Sequence, residues 1–323
     1  MSRRIWTESD IDFLKKNLAS MSLCELASKF NVTKNSIAHK ISNLGLSKKA
    51  AVGEYWSPED DVLLAKHFEY APKNMLLRLF PSRTWPAITQ RGYKTLKMQR
   101  KTKDQYYIQY DALSQWNEST AYIVGFVMAD GYIKYHHGVR KENSLQFEQA
   151  AYDKDILLKM AKYLSFEGPI RLSKRNTAKL NISNVKIIED LIDKGVPQRD
   201  KTFTADFPPK LPPKMIKHFI RGLYDGDGSI YNDCGTVAFQ LLGTEKLLEQ
   251  IKDKLPRFFE NISLYDRSKN GANIFCLKVK GKKAKDLLGW MYKDSSIYLQ
   301  RKYDKYCQYI NSPSYGKPCE DRT

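Results

Sequence analysis

The chain lacks the features that would place it among zinc proteins, disulfide-rich secreted proteins or membrane proteins. Its 323 residues hold five cysteines, which are scattered and show no Cys-x-x-Cys or Cys/His spacing, so neither a zinc site nor a disulfide framework is predicted. No segment approaches the ~20 apolar residues of a membrane span, and no apolar stretch follows the N-terminal residues. We therefore expect a soluble protein in the cytoplasm of a bacterial or phage-infected cell, with the nucleus or an organelle as alternatives.

Acidic residues are also scarce beside basic ones. Asp and Glu number 36 against 54 Lys and Arg, which gives a formal net charge of +18. This excess favours a polyanionic partner, with nucleic acid ahead of a membrane surface. A hydrophobic content of 42% is enough for a packed core, and 323 residues exceed one ordinary domain, so two or three domains are expected.

Two short segments of the chain are nearly the same. They are Ile123-Val-Gly-Phe-Val-Met-Ala-Asp-Gly131 and Ile220-Arg-Gly-Leu-Tyr-Asp-Gly-Asp-Gly228. Each has a glycine within an apolar helical stretch and ends in Asp-Gly, a pattern typical of a closely packed helix that stops at a glycine. Gly125 and Gly222 are predicted to let the two helices approach closely, which would set Asp130 beside Asp227.

This pair of acids indicates a cation site. A carboxylate at a helix C-terminus is disfavoured by a few tenths to about 1 kcal/mol, because the unpaired carbonyls there already carry negative charge. Two such ends side by side increase that cost, so a divalent cation is expected. Mg²⁺ prefers carboxylate, water and phosphate oxygens, and adjacent ions can hold both the attacking and the leaving oxygen of a phosphodiester. The alternative is that each Asp-Gly only ends a helix, and the repetition of the whole pattern favours the site.

The first hundred residues contain a repeat of their own. Trp6-Thr-Glu-Ser-Asp and Trp56-Ser-Pro-Glu-Asp each open a unit with a helix N-cap, acids in the first turn and apolar residues at helical spacing. Later helices near 33–44 and 82–97 complete two predicted helix-turn-helix units whose polar faces suit phosphate and base-edge contacts. The candidate DNA-binding residues are Lys34, Asn35, His39 and Lys40 in the first unit and Arg83, Gln90, Arg91 and Lys94 in the second. The alternative is a pair of small helical bundles with solvated basic faces.

A second pattern is duplicated between residues 118 and 310. Each copy has a helix ending in Asp-Gly, a hairpin, a helix, a hairpin and a closing helix, and a proline-rich linker separates the copies. The predicted fold class is α+β, with two pseudo-symmetric αββαββα halves preceded by two small all-α units. The predicted domains are helix-turn-helix units at 1–50 and 51–100, a basic linker at 101–117, a first half at 118–195, a proline-rich linker at 196–213, a second half at 214–310 and a tail at 311–323.

The two Asp-Gly motifs, the linker and the strand pattern resemble the single-chain LAGLIDADG homing endonucleases, and the first hundred residues resemble Myb/SANT-like repeats. The resemblance implies a monomer whose two sheets form a saddle over double-stranded DNA. It implies that Asp130 and Asp227 are catalytic and bind Mg²⁺ or Mn²⁺ between the scissile phosphates. Ala129 and Gly226, which precede those acids, are assigned to the same metal site.

The resemblance also implies roles on the strands. Lys278 stands where the family commonly places a basic side chain that organises the attacking water, and the matching residue in the first half is Asn181. Phosphate contact or a plain surface position are the alternatives for Lys278, and Lys179 is a neighbouring candidate. Gln240, aligned with Glu148, is expected to hold a metal-bound water or to cap a strand edge. Two arginines expected to face the DNA groove are Arg171 and Arg175.

The function implied is that of a site-specific, metal-dependent endonuclease that hydrolyses one phosphodiester on each DNA strand. The N-terminal units would add affinity, because joining two weak DNA readers raises their effective concentration. One alternative is a DNA-binding transcriptional regulator that kept the saddle and lost cleavage, and another is an intron-splicing maturase. The regulator predicts substituted acids, whereas Asp130 and Asp227 are both present.

Overall fold

The computed structural model describes residues 6–18, 21–44, 46, 56–102, 106–135, 143–198, 204–259, 262–268 and 273–311. The chain divides into two compact units, one made of Met1–Lys66 with Phe80–Lys97 and the other of His67–Leu79 with Met98–Thr323. None of the helices within the described ranges combines the length and the apolar composition that a membrane crossing needs.

The N-terminal part of the first unit consists of three short helices. They are α1 (Glu8–Asn17), α2 (Leu23–Lys29) and α3 (Lys34–Asn43). Each helix begins at a side-chain cap, because Thr7, Ser22 and Thr33 each accept a backbone N–H of the first turn. The apolar faces meet in one core, whose fully buried members are Leu14, Leu26 and Ile37. The local order of helices is the one expected of a helix-turn-helix unit.

A second set of helices follows after Trp56. They are α4 (Pro58–His67), α5 (Lys73–Leu79) and α6 (Trp85–Gln90), and a π-helical turn at Arg91–Thr95 follows α6 directly. The sequence predicts one continuous helix over 82–97, and the structure differs there. The Leu96 N–H donates to the Arg91 carbonyl, a five-residue step that widens the last turn.

The second unit contains the two predicted halves. The first half consists of α7 (Glu118–Asp130), β1 (Gly131–Lys134), β2 (Ser144–Ala150), α8 (Lys154–Tyr163), β3 (Arg171–Leu172), β4 (Thr177–Ile182) and α9 (Val185–Asp193). The second half consists of α10 (Ile216–Asp227), β5 (Gly228–Asp233), β6 (Thr236–Gly243), α11 (Glu245–Lys254), β7 (Leu264–Asp266), β8 (Phe275–Lys280) and α12 (Gly281–Tyr292), and α13 (Gln300–Asn311) follows it. The predicted α+β class with two αββαββα halves is confirmed.

Within the described residues the strands form two antiparallel four-stranded sheets, ordered β1-β2-β4-β3 and β5-β6-β8-β7. In the first sheet Leu145, Phe147 and Leu180 alternate with Gln146 and other exposed residues, so one face joins the core and the other faces solvent. The second sheet alternates in the same way. Each sheet therefore presents one face to solvent.

Helices α7 and α10 cross in backbone contact. A Cβ atom built on Gly125 would lie 2.1 Å from the Phe219 carbonyl oxygen, and one built on Gly222 would lie 2.1 Å from the Tyr122 carbonyl oxygen. Each glycine thus lies against the backbone of the other helix. The rings of Tyr122 and Phe219, which surround this contact, are completely buried. Only glycine allows this approach, because any side chain would overlap main-chain atoms of the other helix.

Cysteine chemistry departs from the sequence expectation at one position. Cys24, Cys276 and Cys307 are free thiols, whereas Cys234 is disulfide-bonded. The scattered spacing of the cysteines gave no indication of this bond.

We predict that Gly125→Ala lowers the free energy of unfolding of the second unit by about 3 kcal/mol or more, because the new methyl group would overlap a rigid backbone. Gly289→Ala in α12 is the matched control. A Cβ there meets only the hydroxyl of Tyr306 at 3.2 Å, so the change should stay within about 1 kcal/mol. Urea unfolding of both variants measures the difference, and equal losses would contradict the packing described here.

Candidate active site

Each acidic motif lies where a central helix turns into a strand. Asp130 is the last residue of α7 and Asp227 is the last residue of α10. The glycines that follow have φ values of −78° and −97°, so they do not end the helices in the left-handed conformation typical of helix-stopping glycines. They are needed for space instead, since a Cβ on Gly228 would lie 2.3 Å from the ring of Tyr224 and one on Gly131 would lie 2.7 Å from the Cα of Val127.

The two helix ends lie side by side. A Cβ built on Gly226 would lie 2.3 Å from the Cβ of Ala129 and 3.4 Å from the Oδ2 atom of Asp130. The carboxylate of Asp130 therefore lies next to the residue that precedes Asp227. Ala129, Asp130 and Gly226, three of the residues assigned to a metal site from the sequence, thus lie together, and Asp227 follows Gly226 directly in the chain. The Gln149 side-chain amide donates to Asp130 Oδ2 at 2.9 Å and fixes that carboxylate.

The donor set at this point suits a small hard cation. Within the described ranges, no group of three or more His, Cys, Asp or Glu side chains is arranged to hold a metal ion. Mg²⁺, however, binds through one or two carboxylates and completes its coordination with water and substrate phosphates. Two carboxylates at adjoining helix ends fit that mode.

A buried ammonium group lies at the same helix end. Lys302 of α13 is 4% exposed, and its Nζ donates to the carbonyl oxygens of Tyr224 (2.6 Å), Asp225 (2.9 Å) and Gly228 (2.6 Å). Burial lowers the pKa of Lys302 to about 8, while the negative charges of Asp225, Asp130 and Asp227 act in the opposite direction. The lysine thus completes the C-terminus of α10 and offsets part of the acidic charge.

This contact was not predicted from the sequence. The divalent cation stays a prediction, and the chain itself adds a positive charge at the acidic helix ends through Lys302. The sequence holds a signal for it, because Lys302 shares one helical face with Leu299 and Tyr306, both spaced for a stripe packed against the core. A lysine on such a stripe must reach a buried acceptor.

We predict that Lys302→Met lowers the free energy of unfolding by about 3 kcal/mol or more, because three buried carbonyl groups lose their donor. Lys305→Met, an exposed site on the same helix, should change it by no more than about 0.5 kcal/mol. Thermal and urea unfolding measure both variants. A Lys302→Met protein as stable as the Lys305→Met protein would show that the ammonium is not part of the helix end.

Asp225 has a structural role, as the comparison of the two motifs indicates. Its carboxylate accepts the hydroxyl of Tyr122 at 2.8 Å and the backbone N–H of Leu299 at 2.7 Å. Complete burial raises the pKa of Asp225 to about 6. The first motif has Met128 at the matching position. Asp225 therefore ties the segment before α13 to the helix pair and takes no part in the acid pair itself.

Arg221, one turn before Asp225 on the same face of α10, also holds this segment. The guanidinium is fully buried and donates to the carbonyls of Met291 (2.8 Å) and Ile297 (3.0 Å) and to the carboxylate of Glu118 (3.1 Å). It also donates to Nδ1 of His218 at 2.7 Å, which requires a neutral imidazole. Burial, and secondarily the charge of Arg221, lowers the pKa of His218 to about 4.

We predict a pH dependence from His218. Between pH 6.5 and about 4, the imidazole of His218 is protonated in the unfolded chain but not in the folded chain. Its contribution to the free energy of unfolding is therefore fully present above pH 6.5 and is lost as the pH is lowered through that range. His218→Asn keeps a hydrogen-bond acceptor for Arg221 but cannot titrate. The slope of unfolding free energy against pH should be shallower in this variant, by up to about 1.4 kcal/mol per pH unit. Identical slopes would rule out the buried neutral histidine.

Strand register defines equivalent positions in the two halves. Gly131 pairs with Phe147, and Gly228 pairs with Leu241, so positions are matched by counting from the helix ends. One strand position further on, Gln146 pairs with Asn181 in the first sheet and Gln240 pairs with Lys278 in the second. The register thus matches Asn181 with Lys278, as aligned from the sequence. The same register matches Gln240 with Gln146. The alignment of Gln240 with Glu148 is therefore wrong by two residues, because the similar dipeptides Phe147-Glu148 and Phe239-Gln240 do not occupy equivalent positions in the two sheets.

Lys278 and Gln240 lie together on the accessible face of the second sheet. The Lys278 ammonium lies 2.9 Å from Oδ2 of Asp233 and 5.4 Å from the ring centroid of Tyr231. The contact with Asp233, followed by that with Tyr231, raises the pKa of Lys278. The Tyr231 hydroxyl donates to Gln240 Oε1 at 3.3 Å. The lysine is therefore charged and engaged within its own sheet.

A cleft of about 530 Å³ lies beside Asp130 on the first sheet, and its lining combines polar and apolar side chains. It is bordered by Asp130, Tyr132, Gln146, Glu148, Lys179 and Asn181. Lys179 forms an ion pair with Glu148 at 2.8 Å in this wall. Arg171 lies in the same cleft, and Arg175 is exposed in the turn that follows β3.

The candidate DNA-binding residues of the first unit differ in their surroundings. On α3, Lys34, Asn35 and His39 are exposed, and the Lys40 ammonium lies 5.6 Å from the ring centroid of Trp6. In the second set of helices, Gln90 and Lys94 are exposed.

Arg83 and Arg91 are engaged with their own unit. Arg91 donates two hydrogen bonds to Asp61 at 2.7 and 2.6 Å. The side chain of Arg83 is only 7% exposed, lies 3.7 Å from Asp60 and covers the ring of Trp56 at 5.0 Å. Both arginines thus pair with the acidic first turn of α4, a pairing that polarity alone did not predict.

No family model matches the chain, and no curated protein matches it. Among solved structures, the meganuclease I-SmaMI bound to uncleavable DNA is 13% identical, with 58% of this chain and 88% of that chain covered and a TM-score of 0.42. I-DmoI in complex with DNA and Ca is 15% identical, with 59% and 93% covered and a TM-score of 0.39. Full-length WhiA from Thermatoga maritima is 18% identical, with 62% and 64% covered and a TM-score of 0.39. Likenesses at this level transfer no function to the chain.

Proposed function

We propose that the chain is a metal-dependent DNA endonuclease of the LAGLIDADG type. The observation that carries the proposal is the meeting of two Asp-Gly helix ends at one side of a glycine-to-glycine crossing, with Asp130 against Gly226 and hence next to Asp227. A chain that repeats an acid at a site where helix dipoles disfavour it has a use for that charge. The net charge of +18 fits a polyanionic substrate.

Asp130 and Asp227 would hold one or more Mg²⁺ or Mn²⁺ ions through their carboxylate oxygens. A divalent ion bound there supplies Lewis-acid stabilisation of phosphate oxygens and lowers the pKa of water. Lys278 and Gln240 lie one strand position beyond the helix end, where an ammonium and an amide can donate hydrogen bonds to a phosphate oxygen or orient a water. Gln149 keeps the carboxylate of Asp130 in place.

The two halves are unequal in this proposal. The second half offers Gln240 with Lys278, whereas the first offers Gln146 with Asn181, which is uncharged. A positive charge stabilises developing negative charge better than a neutral amide does. The DNA strand that meets the second half is therefore cut first.

The N-terminal unit adds a DNA-reading surface on α3, where Lys34, Asn35 and His39 are exposed and suited to phosphates and base edges. Covalent connection of this helix to the second unit raises the effective concentration of each DNA reader for the other. The partner is double-stranded DNA and the acting species is a monomer, since one chain carries both acids.

A second candidate function is favoured by Lys302. Its ammonium offsets part of the acidic charge at the helix ends, a role that a divalent ion would otherwise fill. A DNA-binding protein of this architecture that does not cleave would need no compensation of the two acids beyond the ammonium of Lys302. The two candidates differ in a single measurable property, which is hydrolysis in the presence of Mg²⁺ or Mn²⁺.

We predict that the full-length protein, incubated with a randomised duplex pool in Mg²⁺, cuts a subset of duplexes on both strands. Asp227→Asn and Asp130→Asn should each slow cleavage on the order of 100-fold or more, because each removes a metal-binding carboxylate. Asp266→Asn, an exposed acid on β7, is the matched control and should cut at the wild-type rate.

The strand order is measured in the same reaction from the nicked intermediate. A wild-type protein that enriches duplexes without cutting them in Mg²⁺ or Mn²⁺ would establish the non-cleaving candidate. Undiminished cleavage by Asp227→Asn would exclude the site assigned here.

A further inference from the structure

We propose that Asp233 is an intramolecular substitute for a DNA phosphate, which pairs with Lys278 and Lys280 until a duplex displaces it. The inference rests on the proposed function for its partner, double-stranded DNA. It adds a residue that limits how strongly the second sheet attracts any duplex.

The geometry is that of a phosphate oxygen between two basic groups. One carboxylate oxygen, Oδ2 of Asp233, lies 2.9 Å from the ammonium of Lys278 and 2.6 Å from that of Lys280. The two lysines alternate along β8, so they project from the same accessible face that carries Gln240. A bridging anion at this place therefore occupies the donors that a DNA backbone would use.

The acid is held in position by a tight turn. Asp233 ends β5, and the next two residues, Cys234 and Gly235, have φ values of 50° and 81° in the left-handed region. The Gly235 N–H donates to the Asn232 side chain at 2.8 Å, and the Thr236 hydroxyl donates to the Asp233 carbonyl at 2.8 Å. The carboxylate is thus presented to the lysines by a fixed backbone.

The pairing is weak enough to exchange. The Lys280 side chain is 54% exposed, whereas those of Lys278 and Asp233 are each 20% exposed. An ion pair with so exposed an ammonium typically adds little to stability. Lys280 and Lys278 lower the pKa of Asp233, so the acid stays ionised at neutral pH. A phosphate diester offers the two lysines an equivalent anionic oxygen.

Among the described residues of the first half, the positions that match the two lysines carry no basic side chain. Asn181 stands in the place of Lys278, and two residues later Ser183 stands in the place of Lys280. Lys179 pairs with Glu148 elsewhere on that sheet. The pairing of Asp233 with two lysines therefore belongs to the half that carries Lys278, the charged candidate for catalysis. Unselective attraction of DNA has its greatest consequence in that half.

The test compares Asp233→Asn with Asp266→Asn in the full-length chain. Each variant removes one carboxylate from the second sheet, but Asp266 accepts the Ser268 backbone N–H rather than holding the two lysines. Affinity for a duplex of arbitrary sequence is measured by fluorescence anisotropy in EDTA over a series of salt concentrations. We expect Asp233→Asn to bind about 2- to 5-fold more tightly at low salt. The slope of log affinity against log salt should steepen by about 1 to 2, because freed lysines contact phosphates.

Asp233→Glu, which keeps the carboxylate, should return both values toward those of the wild type. A purely structural role for Asp233 would alter stability without changing the salt slope. Equal effects of Asp233→Asn and Asp266→Asn, or weaker binding by Asp233→Asn, would overturn the inference while leaving the proposed function intact. A wild-type protein that binds no duplex would overturn both.

Discussion

The contact between α7 and α10 at Gly125 and Gly222 is the constraint on which the rest of the second unit depends. Each glycine lies against a main-chain carbonyl of the other helix, at a distance that leaves no room for a side chain. This crossing brings the two helix ends together and so sets Asp130 against Gly226. The sheets then start at fixed places, since β1 and β5 each begin at the residue after the acid. Packing in the helix pair thereby determines where any chemistry can occur.

The pseudo-symmetry of the two halves is broken by buried charge on one side. Arg221 and Lys302 donate to backbone carbonyls around the C-terminal segment and α10, and Asp225 accepts from the same segment. The first helix carries Val124 and Met128 where α10 carries Arg221 and Asp225. Buried charges of this kind need partners to be tolerated, and part of that partnership comes from the segment beyond the second half, through Ile297, Leu299 and Lys302. α13 is therefore anchored through Lys302 both to the end of α10 and to the start of β5.

Much of the fold could be predicted from local sequence signals, because those signals act over a few residues. The repeated glycine and Asp-Gly positions indicated the helix pair, and alternation of apolar and polar residues indicated the strands. What depends on distant contacts could not be predicted in this way. The pairing of Arg91 with Asp61 spans 30 positions and turns a presumed DNA contact into an internal one. The equivalence of Gln240 with Gln146 follows only from the strand register, because the similar dipeptides Phe147-Glu148 and Phe239-Gln240 are offset by two residues between the two sheets.

The donation from Lys302 to the Tyr224 carbonyl joins residues 78 positions apart. A helix end completed by so distant a residue cannot form until that residue has been synthesised, since contacts that are distant in sequence form late. The counter-charge of the two acids is thus added only after α13 has left the ribosome. A nascent chain that stalls before that helix would carry both aspartates on an unfinished support.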